Sequence, residues 1–338
     1  MMRIIIATFL LTLLALAVKG QDPHFSQFNH LVFHDNPAAA GFSESKYRFS
    51  ANTKIQWSSV TQPYQTYLAG FDFALVRRPS RLDMFGMGIE VMRDQAGDAQ
   101  FGTTGFGLSL AYIKALNNYN NHFLSFGASF AYNQRSFNPD PLTFDNQFNG
   151  LYFDPTLPGG ETFIDLSFWY PTFGAGVRYL NKFDSKHEFS GGLSLLNINK
   201  PPQSHFSNND VRLDWRWVGT ASYRIAVANS REVIPEAYVS VQGVYREILI
   251  GAHYRLIKDY NNQSFNAFSG GLFWRAGDAF VLVAQMDYLR YSFGLSYDVN
   301  ISGLVPASNL QGGFELSFIM KFDHPERRRP KEIPCPIF

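Results

Sequence analysis

Apolar and polar residues alternate with a period of two along most of the chain between residues 46 and 322. In the stretch RLDWRWVGTASYRI, which begins at Arg212, one face carries Leu213, Trp215 and Trp217 while the other carries charged and hydroxyl residues. A period of two indicates β-strands, because successive side chains of a strand point to opposite sides. The pattern predicts strands with one apolar surface and one wet surface.

The alternation divides into fourteen segments, and an even number of long antiparallel strands is typical of a closed outer-membrane barrel. Closure is needed because lipid cannot hydrogen-bond the free edge of a sheet. We therefore predict an all-β fold, a transmembrane antiparallel β-barrel of about 14 strands. The predicted strands are 46–57, 64–76, 84–93, 102–116, 121–135, 170–181, 186–198, 212–227, 235–242, 244–257, 265–275, 279–288, 290–299 and 310–322.

The composition agrees with a barrel that faces lipid. Aromatic residues make up 16% of the chain, with 33 Phe and 17 Tyr, and a soluble globule would have to bury most of them. The single Cys335 excludes an internal disulfide framework. The charges are nearly balanced and show none of the basic excess that nucleic-acid binding requires.

The first twenty residues, MMRIIIATFLLTLLALAVKG, have the order of a secretory signal peptide: a basic start, an apolar run and small residues near Gly20. We therefore divide the chain into a signal peptide (1–20), an N-terminal segment (21–45), an outer-membrane barrel (46–322) and a short C-terminal periplasmic tail (323–338). In such barrels both termini face the periplasm, so connections from odd to even strands are expected to point outward and to be the longer ones. The longest of them is 135–169.

The sequence gives no sign of catalysis or of a metal site. His24, His30 and His34 lie close together along the chain, but no helical pattern surrounds them and Asn36-Pro37 closes the stretch. Neither a phosphate-binding glycine loop nor the motif of a nucleophilic serine is present. We expect no catalytic residue, cofactor or metal ligand.

The stretch QDPHFSQFNHLVFHDNPAAAGF (21–42) lacks the alternation of the rest and resembles the mature N-terminus of the PorP/SprF family, outer-membrane proteins of the type IX secretion system. In that family a Gln-Asp-Pro-x-Phe-Ser-Gln start is followed by an Asn-Pro-Ala-x-x-Gly element. The matching residues here are Gln21, Asp22, Pro23, Phe25, Ser26, Gln27, Asn36, Pro37, Ala38 and Gly41.

The resemblance implies a non-enzymatic component of type IX secretion and gliding motility. Its partners would be periplasmic ring and motor proteins, or a secreted adhesin whose C-terminal domain is held at the cell surface. We expect the matching residues to dock a partner, with Phe25 and Phe28 exposed and with a rigid Asn36-Pro37 bend. The segment would either plug the lumen or join the strand edge of a partner.

The basic tail residues Arg327, Arg328 and Arg329 form a second candidate docking site. An alternative function is an outer-membrane transport barrel for a small hydrophobic or peptide solute, and a soluble β-sandwich is a third possibility. Which secreted protein or ring component is bound is left open by the sequence.

Overall fold

The computed structural model describes residues 22–322 except 44, 61, 78–82, 120, 162, 164, 206–210 and 262–263. The predicted signal peptide, Gln21, and the tail with Arg327, Arg328 and Arg329 lie outside the described residues. The strands are β1 Tyr47–Gln56, β2 Tyr64–Arg77, β3 Met84–Ala96, β4 Phe101–Ala115, β5 His122–Ser136, β6 Ser167–Lys182, β7 His187–Leu196, β8 Arg216–Ala228, β9 Arg231–Gln242, β10 Tyr245–Asn261, β11 Ser264–Arg275, β12 Ala279–Tyr288, β13 Tyr291–Asn300 and β14 Gln311–Phe322.

These strands form one closed antiparallel barrel in which each strand pairs with its sequence neighbours. Strand β1 closes the ring by pairing with β14, so that Ala51 lies opposite Phe318 on one side and opposite Ala69 of β2 on the other. The predicted fold of fourteen antiparallel strands is confirmed. No helix of the described part has the length and apolar character needed to cross a membrane.

The predicted strand boundaries are accurate to within about four residues, the precision expected of a sequence pattern. The largest differences are of four residues: β8 begins at Arg216 instead of 212, β9 begins at Arg231 instead of 235, and β10 ends at Asn261 instead of 257. Arg212 instead forms an isolated bridge with Pro202 inside the preceding loop, and that bridge delays the start of β8.

The two faces of the sheet are inverted relative to a water-soluble protein. On β1 the polar residues Ser50, Asn52 and Lys54 are buried, with Lys54 only 1% exposed. On β12 the apolar residues Phe280 and Leu282 are exposed. The polar face therefore lines the lumen and the apolar face is available to lipid, as in a membrane barrel.

The connections differ in length between the two ends of the barrel. Connections 137–166, 197–215 and 301–310 all leave at one end, which we call the loop end. At the opposite end, the turn end, the links include the short turns 183–186 and 229–230. The three longest connections therefore all lie at the predicted end, although the connections 97–100, 243–244 and 276–278 at the same end are short.

We expect the loop end to face the cell exterior, and two exposed residues test this. Leu151 at the loop end is 88% exposed and Tyr119 at the turn end is 86% exposed. In a Cys335→Ser background, a membrane-impermeant maleimide added to intact cells should label Leu151→Cys and leave Tyr119→Cys unlabelled until the cells are lysed. Labelling of Tyr119→Cys alone would reverse the orientation.

Candidate functional site: the lumen and the N-terminal segment

Residues 22–43 of the N-terminal segment are held by the inner face of the barrel. Hydrogen bonds, ion pairs or apolar packing connect the segment to every one of the fourteen strands. A chain can touch all strands of a closed barrel only from inside it, so the segment lies in the lumen. From β1 to β14, the contacted residues are Lys54, Asp72, Glu90, Ala111, Ser125, Val177, Ser194, Arg216, Gln242, Glu247, Arg275, Gln285, Asp298 and Glu315.

The segment runs along the lumen from one end of the barrel to the other. At the loop end, the backbone N–H of Asp22 donates to Gln242 Oε1 at 2.8 Å, and Asn197 Nδ2 donates to the Asp22 carboxylate at 2.7 Å. The segment then leads to Tyr47, where β1 starts at the turn end opposite Phe322 of β14. Asp22 and Phe322 therefore lie at opposite ends of the barrel, while the terminal residues themselves lie outside the described residues.

The two phenylalanines that we expected to be exposed are buried. Phe25 is 7% exposed and Phe28 is 8% exposed. The Phe28 ring lies 5.2 Å from the ring of Tyr238 and packs edge-on against Phe273 at 6.4 Å. The expectation was wrong because it treated the segment as a free periplasmic arm. Phe25 packs in a cluster formed largely by the segment itself, and Phe28 packs on an apolar patch of the lumen wall.

The Ser26–Gln27 pair is bound by charged side chains of three strands near the loop end. Glu315 of β14 accepts both backbone N–H groups, at 2.7 Å from Ser26 and 3.0 Å from Gln27. The Ser26 hydroxyl lies 2.8 Å from Asp298 Oδ1 and accepts a hydrogen bond from Arg275 Nη2 at 2.6 Å. Charged side chains of the barrel wall thus bind the Ser-Gln pair of the motif through hydrogen bonds.

These charges form a buried cluster whose members neutralise one another. Arg275 Nη1 lies 2.7 Å from Asp298 Oδ2, and the Lys54 ammonium lies 3.7 Å from the same carboxylate. Lys54 also donates to the backbone carbonyl of His24 at 3.1 Å. Because a buried charge is tolerated only when it is paired and hydrogen-bonded, the cluster and the segment stabilise each other.

The Asn36-Pro37 element forms a rigid turn that packs against strands β4, β5 and β6. Asn36 Oδ1 accepts the N–H of Ala38 at 3.0 Å and so caps the 3-10 turn Pro37–Ala39, where Pro37 takes the first position because its missing N–H is not needed there. Asn36 Nδ2 donates to the carbonyl of Val177 on β6 at 3.0 Å. One asparagine therefore both shapes the turn and fastens it to the barrel.

Glycines in the wall allow the segment to approach the strands closely. A Cβ placed on Gly127 would lie 2.3 Å from the backbone nitrogen of Ala38, and one on Gly86 would lie 1.9 Å from the carbonyl oxygen of Ala40. Gly41 has a φ of +66°, and its N–H donates to Asp72 at 2.9 Å. The glycine of the motif is required both by its backbone angle and by its contact with β2.

The three histidines of the segment have separate partners. His34 Nδ1 lies 3.2 Å from Glu90 Oε1, His30 Nε2 lies 3.3 Å from Gln285, and His24 lies 3.9 Å from Glu247. Within the described ranges, no group of three or more His, Cys, Asp or Glu is arranged to hold a metal ion. These side chains attach the segment to β3, β12 and β10.

The barrel side of this site was missed by the sequence analysis. Lys54, Asp298 and Glu315 are almost fully buried, although charged residues on a strand are normally read as solvated. Their one signal is position, since each lies near the loop end of a strand on the face opposite the apolar stripe. That pattern alone does not say what they bind.

A cavity of about 110 Å³ remains between the segment and the wall formed by β3 to β8. His34 of the segment lines it, together with Glu90 of β3 and Arg216 of β8. Phe173 and Leu196, where β6 faces the end of β7, line another part. The segment therefore fills the lumen incompletely on this side.

Replacing Gly127 should displace the segment without harming the barrel. Gly127→Ala forces a Cβ onto the backbone of Ala38, an overlap that no side-chain rotation relieves, whereas Gly270→Ala adds a Cβ with no atom within 4 Å. In detergent, proteinase K should cleave residues 22–43 in Gly127→Ala and spare them in Gly270→Ala and the wild type. Equal protection in all three proteins would show that the segment lies elsewhere.

Removing the central arginine of the buried cluster should destabilise the protein strongly. Arg275→Met leaves Asp298 without its closest cation, and breaking a buried pair costs about 3–5 kcal/mol. The exposed pair Lys114–Asp83 is the control, since Lys114→Met should cost only about 0–1 kcal/mol. Urea unfolding in detergent measures both changes, and equal effects would contradict the structural role of the cluster.

Comparison with solved structures finds other membrane barrels at low similarity. A Pseudomonas aeruginosa FadL homologue shares 12% identity with a TM-score of 0.47, over 85% of this chain and 93% of that one. The P. putida toluene transporter TodX shares 9% identity with a TM-score of 0.44, over 86% of this chain and 93% of that one. These values carry no argument about function. No curated protein matches the chain.

A family model described as "Type IX secretion system membrane protein PorP/SprF" matches residues 17–320. The match covers the N-terminal segment and nearly all of the barrel, so the resemblance seen in the sequence extends over the whole described fold. A closed barrel with a lipid-facing apolar surface agrees with an outer-membrane location. The chain belongs to the PorP/SprF family of type IX secretion system membrane proteins.

Proposed function

We propose that this protein is a non-enzymatic outer-membrane component of type IX secretion that works through protein contacts. It docks periplasmic ring or motor components at one end, or holds the C-terminal domain of a secreted adhesin at the other. The observation that supports this most is a lumen occupied from end to end by the chain's own segment, in a member of a secretion family. A barrel filled in this way is suited to presenting surfaces rather than to conducting solutes.

The buried position of the motif changes how it would serve docking. The barrel wall hydrogen-bonds four residues of the motif: Asp22, Ser26, Gln27 and Asn36. A partner could bind them directly only after the segment had left the lumen. Release would break the buried ion pair between Arg216 and Asp35 and the hydrogen bonds to Glu315, which is costly. We therefore assign these residues the role of holding the lumen closed, while partners bind the barrel ends and the tail with Arg327, Arg328 and Arg329.

Deletion of residues 22–41 tests the proposed function. The truncated barrel should still insert, because its strands pair only with each other, but type IX secretion should fall to the level of the null strain. A truncated protein that inserts and supports normal secretion would refute the proposal. Uptake of a small solute that depends on the protein while secretion is intact would instead favour the transport alternative.

A tethering experiment separates a fixed segment from a released one. Asn197 Nδ2 and the Asp22 carboxylate are 2.7 Å apart, so Asp22→Cys and Asn197→Cys in a Cys335→Ser background can be joined by a short, reducible thiol crosslinker. We expect tethered cells to secrete as well as reduced cells. Loss of secretion that a reductant restores would show that the segment must leave the lumen to dock.

A further inference from the structure

The longest connection of the barrel, residues 137–166 between β5 and β6, folds around aromatic rings. The Phe137 ring packs edge-on against Phe163 at 4.9 Å and against His205 at 4.8 Å. The N–H of Asp165 donates to the carbonyl of His205 at 3.3 Å, which fastens the connection to the one that follows β7. These contacts hold the connection in a defined position at the loop end.

A short hairpin at residues 147–154 lies in the middle of this connection, and we call it the tip hairpin. Phe148 and Phe153 form an antiparallel bridge, and the N–H of Asp154 donates to the carbonyl of Gln147 at 2.7 Å. The tip hairpin therefore has a fixed backbone shape, although it is only eight residues long.

The tip hairpin displays its large apolar side chains instead of packing them. Leu151 is 88% exposed, Tyr152 is 61% exposed and Phe148 is 58% exposed. The Asn149 side chain fixes this display, because its Oδ1 accepts the N–H groups of Leu151 at 3.0 Å and of Tyr152 at 3.1 Å. Neighbouring apolar side chains that are exposed on a loop mark an interaction surface.

The connection that carries the tip hairpin is purely acidic. It holds five acidic residues and no Lys, Arg or His, although the whole chain is balanced at 29 basic and 28 acidic residues. The five are Asp140, Asp145, Asp154, Glu161 and Asp165. Asp145 and Asp154 lie at the base of the tip hairpin. Protein interfaces combine an apolar centre with a polar rim, and the tip hairpin offers both.

The charge decides between a lipid surface and a protein as the ligand. Segments that bind a lipid surface carry Lys and Arg beside their apolar residues, because those charges are attracted to anionic lipids. The tip hairpin has the opposite charge, so insertion into lipid would bring Asp145 and Asp154 against like charges. A protein with a basic face around an apolar centre complements both the charge and the exposed rings.

We propose that the tip hairpin binds a secreted protein through a basic face that surrounds an apolar centre, and holds that protein at the cell surface. Leu151 and Tyr152 enter the apolar centre, while Asp145 and Asp154 pair with Lys or Arg around it. The loop end is the end expected outside the cell, so the tip hairpin is within reach of a secreted protein. The inference rests on the proposed function and gives the docking of the secreted adhesin a place and a chemistry.

A photo-crosslinker at Tyr152 in intact cells tests the proposal, and the same crosslinker at Val244 is its control. Val244 is 65% exposed and lies in the β9–β10 turn at the same end of the barrel. We expect an adduct at Tyr152 with one secreted protein, joined at a segment in which Lys and Arg outnumber Asp and Glu, and no adduct at Val244. An adduct with lipid, with a second copy of this chain or with an acidic segment would overturn the proposal, as would equal adducts or none at the two positions.

Matched substitutions show whether charge and apolar contact both contribute. Asp145→Lys reverses a charge that Asp145→Glu keeps, so the yield of the Tyr152 adduct should be about two- to tenfold lower in Asp145→Lys, and added salt should reduce this difference. Leu151→Ser should lower the yield by about tenfold relative to Leu151→Met, which stays apolar. Equal yields in Asp145→Lys and Asp145→Glu would rule out a basic partner, and equal yields in the Leu151 pair would rule out the apolar centre.

The final location of the secreted protein separates this inference from the proposed function. In Leu151→Ser cells the captured protein should be secreted in the normal amount but recovered from the medium instead of the cell surface. If it stays on the surface while deletion of residues 22–41 abolishes secretion, the proposed function stands and the tip hairpin is not the docking site. If it stays on the surface and the deletion also leaves secretion normal, both proposals fail.

Discussion

The backbone of a strand in lipid must find all its hydrogen bonds within the sheet, and the rest of this structure depends on that constraint. Pairing of β1 with β14 meets it by removing the edges of the sheet. Closure turns one face of every strand toward lipid and the other toward a lumen, which produces the period of two seen in the sequence. It also creates a polar interior with charges that need partners.

The N-terminal segment supplies hydrogen-bond partners for the charges that line the lumen. It contributes backbone N–H groups to Glu315, a hydroxyl to Asp298 and Arg275, and a carbonyl to Lys54. The gain is mutual, because the segment is too short to form a core of its own and the wall charges would otherwise face a wide lumen. Glycines and alanines at the contact let the two backbones approach, so the fit is one of shape as well as charge.

Strand positions could be read from the sequence because alternation is local and recurs within each strand. The burial of Phe25 and the docking of Ser26 on Glu315 could not. Phe25 packs in a cluster that includes Ala111, Ser26 binds a residue 289 positions away, and no local pattern encodes such contacts. The path of the segment before β1 was hidden for a related reason. Counting strands gives that segment no length, whereas it runs the height of the barrel.

Strand β14 takes part both in closing the barrel and in binding the N-terminal segment. Its residues pair with β1 to close the ring, and on the same strand Glu315 and Ser317 bind Ser26 and Gln27. The last strand of the chain therefore completes the backbone ladder and the binding site for the N-terminal segment together. The side chains that bind the segment lie on every second residue of β14, because neighbouring side chains of a strand point to opposite faces while its backbone groups pair within the sheet.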